Sequence, residues 1–287
     1  MNLPPGRHVE LPGRGRTFVR EVEGPPGAST LLLLHGWTAT SDLNWFGCYE
    51  ALGRQYHVVA LDQRGHGRGL HSRKPFRLVD CADDAAALVR ELGLGPVIVV
   101  GYSMGGLVAQ LVWQRQRDVV DGLVLCATSR MFIRSFKERR RFILLGAAAV
   151  ASRVLPRGMT AETIARVVSA RSTAGPFEGW AADELRRHDW TAVLEAGRAL
   201  GHFDSRPWIG GVDVPTAVVA PMRDTMVSPR RQLALARSIP GARFHPVQGD
   251  HTVCSTHPHR FVPVLLDACA DVSARCAATT RPAAPQP

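Results

Sequence analysis

Short apolar runs recur along the chain, and most of them are followed by a glycine or a polar residue. The runs are Thr30–Leu34, Tyr56–Leu61, Pro96–Val100, Gly122–Ala127 and Pro215–Ala220. Runs of this length without polar alternation are typical of strands buried on both faces of a parallel sheet. Segments with helical periodicity, such as Asp80–Leu92, lie between them. The alternation predicts an α/β fold with a mostly parallel sheet and helices on both faces.

The alternation breaks between residues 129 and 214. This segment has helical character, is rich in arginine and is too long for a simple connection. We therefore predict a core domain formed by residues 1–128 and 215–272, with residues 129–214 inserted as a helical cap. Residues 273–287 consist mainly of Ala, Thr, Arg and Pro, and we expect them to form a disordered tail.

The chain is basic, with a formal net charge of +10, but arginine supplies almost all of the positive charge. Abundant arginine and alanine with little lysine is what a GC-rich coding sequence produces without selection for a partner. No nucleic-acid-binding module is recognisable, so we expect no nucleic-acid partner. The cluster Arg139–Arg141 stands beside the apolar run Phe142–Ala151, which leaves contact with a membrane surface as a hypothesis.

The six cysteines are scattered and form no CxxC pair. In a chain of 287 residues this pattern is typical of free thiols in a reducing compartment. The first fifteen residues lack the apolar stretch of a secretory signal, and the run Phe142–Ala151 is too short to span a bilayer. These features predict a cytoplasmic location.

A glycine-rich turn, Gly101–Gly106 (GYSMGG), follows one apolar run and opens a helical segment. In this context a sharp strand-to-helix turn presents the serine hydroxyl at the edge of the sheet, as in a nucleophile elbow. The glycines leave space where side chains would clash, and the helix N-terminus supplies free N–H groups at a positive dipole end. Ser103 is therefore the candidate nucleophile; a packing turn with an incidental serine is the alternative.

A serine hydroxyl is a weak nucleophile and needs a general base, which a carboxylate holds in one tautomer. His251 follows the last predicted strand, Arg243–Val247, and Asp224 follows the strand Pro215–Ala220. No acidic residue ends the preceding strand, where Cys126–Thr128 stands. Ser103, Asp224 and His251 thus occur in the chain order that a hydrolase triad on this kind of sheet requires.

Three other residues compete for these roles. His257 and His259 are predicted to lie on the surface at a helix start, where Pro258 fits the first turn. Asp250 precedes His251 directly and would have difficulty reaching its Nδ1 from the next residue. A metal site built from His251, His257 and His259 lacks a carboxylate or cysteine pattern to complete it, so no metal is predicted.

An oxyanion that develops during acyl transfer needs two preorganised N–H donors. Met104 follows the candidate nucleophile and would supply one backbone N–H. Trp37 follows the strand that ends at His35-Gly36 and would supply the other. The segment Asp62–Gly67 also follows an apolar run, but we interpret it as a tight structural turn rather than a second site.

Taken in order, these motifs resemble the α/β-hydrolase superfamily, in its branch of small esterases, haloperoxidase-like enzymes and C–C hydrolases. The matching segments are His35-Gly36-Trp37, Asp62–Gly67, Gly101–Gly106, Asp224 with Val227-Ser228-Pro229, and His251. The resemblance runs from about Thr17 to Ala270. Pro221 and Asp250 depart from the family, which usually has glycine at these positions. A serine nucleophile separates the chain from epoxide hydrolases and haloalkane dehalogenases, which use aspartate there.

The resemblance implies cleavage of a carboxylic ester through an acyl-enzyme on Ser103, with His251 as base and Asp224 as its partner. It implies a small-molecule ester or acyl substrate and no metal or organic cofactor, and it leaves the oligomeric state open. A C–C bond hydrolase, a cofactor-free haloperoxidase or perhydrolase, and an acyltransferase would use the same triad. A ligand-binding receptor without catalysis is the alternative from another class.

Overall fold

The computed structural model describes residues 3–132 and 178–280. Eight strands form one sheet in the order β1-β2-β4-β3-β5-β6-β7-β8. β2 pairs antiparallel with β1 and β4, and the other neighbouring strands are parallel. The strands are β1 Gly6–Leu11, β2 Gly15–Val22, β3 Thr30–Leu34, β4 His57–Leu61, β5 Val97–Tyr102, β6 Val120–Cys126, β7 Thr216–Pro221 and β8 Arg243–Val247. The predicted, mostly parallel sheet is confirmed.

Helices cover both faces of the sheet. They are α1 Ser41–Trp45, α2 Tyr49–Gly53, α3 Leu78–Glu91, α4 Met104–Arg115, α5 Glu178–Arg186, α6 Trp190–His202, α7 Pro229–Ala236, α8 Val253–Thr256 and α9 Pro258–Thr280. On one face, Leu88 of α3 and Leu107 of α4 belong to a buried cluster with the strands. On the other face, Leu52 of α2 and Phe261 of α9 belong to a second buried cluster. The two clusters establish the predicted three-layer α/β architecture.

The first strand is not predicted by the sequence. Of the six residues of β1, only Val9 and Leu11 are buried, and the surrounding residues are rich in Pro, Gly and Arg. Two inward residues are too weak a pattern to indicate a strand. β1 forms because it pairs along its whole length with β2, in the register Gly6↔Arg20 to Leu11↔Gly15.

The prediction of a disordered tail from residue 273 is wrong for residues 273–280, which continue α9. Val272 is fully buried, and Cys276 packs half-buried against the same cluster. Alanine, which is frequent here, also favours helix. The helix therefore extends past the predicted end of the core, and residues 281–287 lie outside the described part of the chain.

The insertion between β6 and β7 is described for residues 129–132 and 178–214, where it contains α5 and α6. Ala196 and Leu200 of α6 join the buried cluster of the core. These two helices agree with the helical character predicted for the cap, whose boundaries stay a prediction. The cluster Arg139–Arg141 and the run Phe142–Ala151 lie outside the described residues. Within the ranges that are described, no helix is both long and apolar enough to cross a membrane.

The start of α4 lies so close to β3 that position 105 has room only for glycine. A Cβ on Gly105 would lie 2.1 Å from the carbonyl oxygen of Leu34 and 2.7 Å from that of His35. Backbone atoms of a central strand cannot rotate away, so we expect Gly105→Ala to lower the free energy of unfolding by about 3 kcal/mol or more. The melting temperature, measured by circular dichroism, should fall by roughly 6–12 °C.

Gly179 offers a control, because it is a glycine at an exposed position of another helix, α5. Among the described residues, a Cβ at Gly179 has no neighbour within 4 Å. Gly179→Ala should therefore leave the melting temperature unchanged. A Gly105→Ala protein as stable as the wild type would show that α4 and β3 are less closely packed than described.

Candidate active site

Ser103 lies at the turn between β5 and α4, at the carboxyl edge of the sheet. Its φ of 52° and ψ of −111° are angles that residues other than glycine rarely adopt. Hydrogen bonds hold the turn on two sides. The Ser103 N–H donates to the Cys126 carbonyl at 2.8 Å, and the Thr128 hydroxyl donates to the Ser103 carbonyl at 2.9 Å. The serine hydroxyl is thus presented in the strained conformation expected of a nucleophile elbow.

Ser103, His251 and Asp224 are joined by hydrogen bonds. Oγ of Ser103 lies 3.0 Å from Nε2 of His251, and Nδ1 of His251 lies 2.7 Å from Oδ2 of Asp224. Asp224 is only 3% exposed, and its Oδ1 accepts 2.8 Å hydrogen bonds from the N–H groups of Met226 and Val227. An ionised carboxylate can only accept, so the proton of neutral His251 lies on Nδ1. Nε2 is then free to accept the proton of Ser103.

The competing residues lie elsewhere. Asp250 accepts hydrogen bonds from the N–H and the hydroxyl of Thr252, at 2.9 and 2.7 Å. His257 and His259 are exposed around the first residue of α9, as the sequence predicts. The structure thus brings together the three residues that the sequence analysis selects and leaves these alternatives outside the hydrogen-bonded chain.

Two residues that the sequence analysis does not identify support this chain of hydrogen bonds. The Tyr102 hydroxyl donates to the His251 carbonyl at 2.9 Å, and its ring packs edge-on against the imidazole. The Gln232 amide donates to Oδ2 of Asp224 at 3.3 Å. Tyr102 and His251 are 149 residues apart, and no local sequence pattern encodes such a pair.

The loop of residues 36–40 follows β3 and lies beside Ser103. A Cβ on Gly36 would lie 3.5 Å from Cβ of Ser103. The Gly36 N–H donates to Oδ1 of Asn44 at 2.8 Å, so it is not free to donate to an oxyanion. Within the described residues, neither the Trp37 N–H nor the Met104 N–H donates a hydrogen bond. This arrangement is consistent with the predicted oxyanion donors, whose role stays a prediction.

The Asp62–Gly67 turn is held by a buried carboxylate. Oδ1 of Asp62 accepts from the N–H and hydroxyl of Ser41 at 2.8 and 2.6 Å, and Oδ2 accepts from the Arg68 N–H at 2.9 Å. Burial opposes ionisation of Asp62, but the positive charge of Arg68 and these hydrogen bonds keep its pKa below the usual value. These contacts agree with a tight structural turn.

Three buried histidines connect this turn to the insertion. The rings of His35 and His66 lie 5.3 Å apart, and those of His66 and His188 lie 5.4 Å apart. Burial lowers the pKa of all three, and that of His188 falls to about 4. The cluster is therefore uncharged at neutral pH.

This low pKa makes stability depend on pH. In the unfolded chain His188 binds a proton near pH 6.5, but in the folded chain only near pH 4. The contribution of neutral His188 to the free energy of unfolding is therefore complete above pH 6.5 and is lost as the pH falls toward 4. The loss reaches about 3 kcal/mol at pH 4. His188→Gln cannot titrate, so its unfolding free energy should fall less steeply between pH 7 and 4 in urea denaturation. Equal slopes in the two proteins would contradict the assignment.

The sheet order, the elbow after β5 and the position of the Ser–His–Asp residues together define an α/β-hydrolase fold. Residues 29–154 match the family model described as the alpha/beta hydrolase fold. The match and the sheet together show that the chain has the α/β-hydrolase fold that its sequence motifs predict.

Relatives that align with most of the chain are hydrolases. The chain is 25% identical over 281 residues to a poly(3-hydroxyalkanoate) depolymerase of Ectopseudomonas oleovorans, covering 91% of this chain and 90% of the relative. It is 29% identical over 247 residues to a pimeloyl-[acyl-carrier protein] methyl ester esterase of Chromobacterium violaceum, covering 83% and 92%. An enol-lactonase from Burkholderia xenovorans has the same fold, with a TM-score of 0.77, 21% identity and coverage of 92% and 100%. The sequence relatives support hydrolase activity.

Proposed function

We propose that the chain is a serine hydrolase that cleaves carboxylic esters of small molecules. The observation that carries the proposal is the hydrogen-bonded chain from Oγ of Ser103 through His251 to the buried carboxylate of Asp224. The methyl ester esterase among the relatives supports an ester as the substrate.

In the first half-reaction, Nε2 of His251 removes the proton of Ser103 as Oγ attacks the ester carbonyl carbon. The carbonyl oxygen becomes negative and accepts hydrogen bonds from the N–H groups of Trp37 and Met104. Asp224 stabilises the imidazolium, and the N–H groups of Met226 and Val227 hold the carboxylate in place. The imidazolium then protonates the leaving alkoxide, and the acyl group stays on Ser103.

In the second half-reaction, water replaces the alcohol. His251 takes a proton from the water molecule as its oxygen attacks the acyl-enzyme carbonyl, and it returns this proton to Oγ of Ser103 as the bond breaks. A carboxylic acid leaves, and the enzyme is restored. The scheme uses protein groups and water alone.

The proposal is tested by turnover of p-nitrophenyl esters from acetate to long-chain acyl groups. Hydrolysis is expected, and the preferred acyl length would give the size of the pocket. No hydrolysis at any length by folded protein would reject the esterase proposal. A panel of β-diketones and peroxide-dependent assays would then separate a C–C hydrolase from a perhydrolase, and tight binding without turnover would indicate a receptor.

A further inference from the structure

We propose that the segment of the insertion from Glu184 to Gly197 positions the 36–40 loop, so that this part of the insertion acts on the chemical step. The inference rests on the proposed function, in which the Trp37 N–H stabilises the oxyanion. Hydrogen bonds join the segment to three of the five loop residues, which are Trp37, Thr38 and Thr40.

The indole of Trp37 is fixed against α6. Its Nε1–H donates to the Val193 carbonyl at 2.7 Å. One turn further along the helix, a Cβ on Gly197 would lie 2.6 Å from Cζ2 of the indole. The helix thus presents a glycine where the ring approaches and a carbonyl where its N–H points. An alanine at position 197 would therefore clash with the indole in this position.

His188 holds the next loop residue. The Gly67 N–H donates to Nδ1 of His188 at 2.7 Å, so the ring proton lies on Nε2. Nε2–H in turn donates to the Thr38 carbonyl at 3.3 Å. Thr38 has a φ of 60°, in the left-handed region, and such a residue keeps this conformation only where its surroundings hold it. His188 is a bridge between the Asp62–Gly67 turn and this strained residue.

Glu184 anchors the far end of the loop. Its Oε2 accepts a hydrogen bond from the Thr40 hydroxyl at 3.0 Å and pairs with Arg68 at 3.2 Å. The same hydroxyl accepts the Leu43 N–H and so caps α1. Glu184 is only 4% exposed, so these contacts are shielded from water. The loop is therefore connected through Thr40 to both the core and the insertion.

The core holds the loop at Gly36, whose N–H donates to Asn44, and the insertion holds it at the residues that follow. Loss of the insertion contacts would therefore displace the Trp37 N–H and leave the Ser103–His251–Asp224 chain in place. Small displacements of oxyanion donors cost one to three orders of magnitude in rate. The expected signature is a lower kcat with little change in KM, even for an acetyl ester too small to contact much of the insertion.

Paired variants at His188 test this inference. In H188N the asparagine amide lies where Nδ1 of the histidine lies, so the hydrogen bond to the Thr38 carbonyl is lost. In H188Q the glutamine amide nitrogen lies where Nε2 lies and can still donate to that carbonyl. H188N should lower kcat for p-nitrophenyl acetate by about ten- to a hundredfold with KM within about threefold, and H188Q should stay close to wild type. G197A should behave like H188N, while G179A and H202N, on exposed positions of α5 and α6, should not change kcat.

A boronic acid that forms a tetrahedral adduct on Ser103 gives a second readout. Its affinity should fall in H188N and G197A by the same factor as kcat, which a purely structural role would not produce. Unchanged kcat in both variants, or a rise in KM alone, would overturn the inference. If H188N does not fold, G197A decides, because alanine favours helix and the clashing indole can move.

A failure of the proposed function is distinguishable from a failure of this inference. If the wild type hydrolyses no ester, the rate at which a fluorophosphonate labels Ser103 replaces kcat, because this reaction also places negative charge on an oxygen beside the same donors. Slower labelling of H188N and G197A than of wild type would support the inference, and equal rates would reject it.

Discussion

Ser103→Ala should lower kcat for ester hydrolysis by about a millionfold, because it removes the oxygen that forms the acyl-enzyme. KM should change little, because the remaining surface still binds the substrate. Within the described residues, the hydroxyl of Ser103 hydrogen-bonds only to Nε2 of His251, so the variant should fold with a nearly unchanged melting temperature. Stopped assays with p-nitrophenyl acetate and long incubations would measure the residual rate.

Ser255→Ala is a suitable control, because this serine lies near His251 in the chain and its hydroxyl donates to the Thr252 carbonyl at 3.0 Å. It should keep full activity. A Ser103→Ala protein that retains more than about a hundredth of wild-type kcat would show that the observed hydrolysis does not proceed through Ser103, and the proposed function would fail.

Asp224→Asn is expected to lower kcat by about ten-thousandfold with the fold intact. The asparagine oxygen can still accept from the N–H groups of Met226 and Val227, which leaves its amide N–H facing Nδ1 of His251. His251 would then carry its proton on Nε2 and donate to Ser103 instead of accepting. The general base is lost through the wrong tautomer, with almost no change in shape. Steady-state kinetics at pH 7 measures the effect.

Asp250→Asn provides the matched comparison, because Asp250 is the carboxylate next to His251 in the sequence. Its contacts are with Thr252, and these hydrogen bonds hold the pKa of Asp250 below its usual value. The variant should keep kcat within about threefold of wild type. If instead Asp250→Asn lost activity and Asp224→Asn kept it, the 2.7 Å contact between Asp224 and His251 would not be the functional one.

Much of the fold is predictable from the sequence because its signals are local. A buried strand, a glycine-rich turn and a helix follow one another within Pro96–Trp113, and this local order predicts the turn at Ser103. The periodicity of Asp80–Leu92 predicts one apolar face of Ala82, Ala86, Val89 and Leu92; the first three are buried, and Leu92 packs partly buried against the same cluster. Where the local pattern is weak, prediction fails, as for β1, which forms through its pairing with β2.

The sequence by itself determined the fold class, the candidate nucleophile and the order of the three polar residues, because each of these depends on neighbours a few positions away. The tertiary structure contains the contact between His251 and Asp224 that this order predicts, and only the tertiary structure decided that Asn44 and His188 hold the loop after β3. These contacts join residues from separate strands and from the insertion. Which residues meet in these contacts depends on how the elements pack at the sheet edge, and this packing cannot be predicted from the spacing of residues in the sequence.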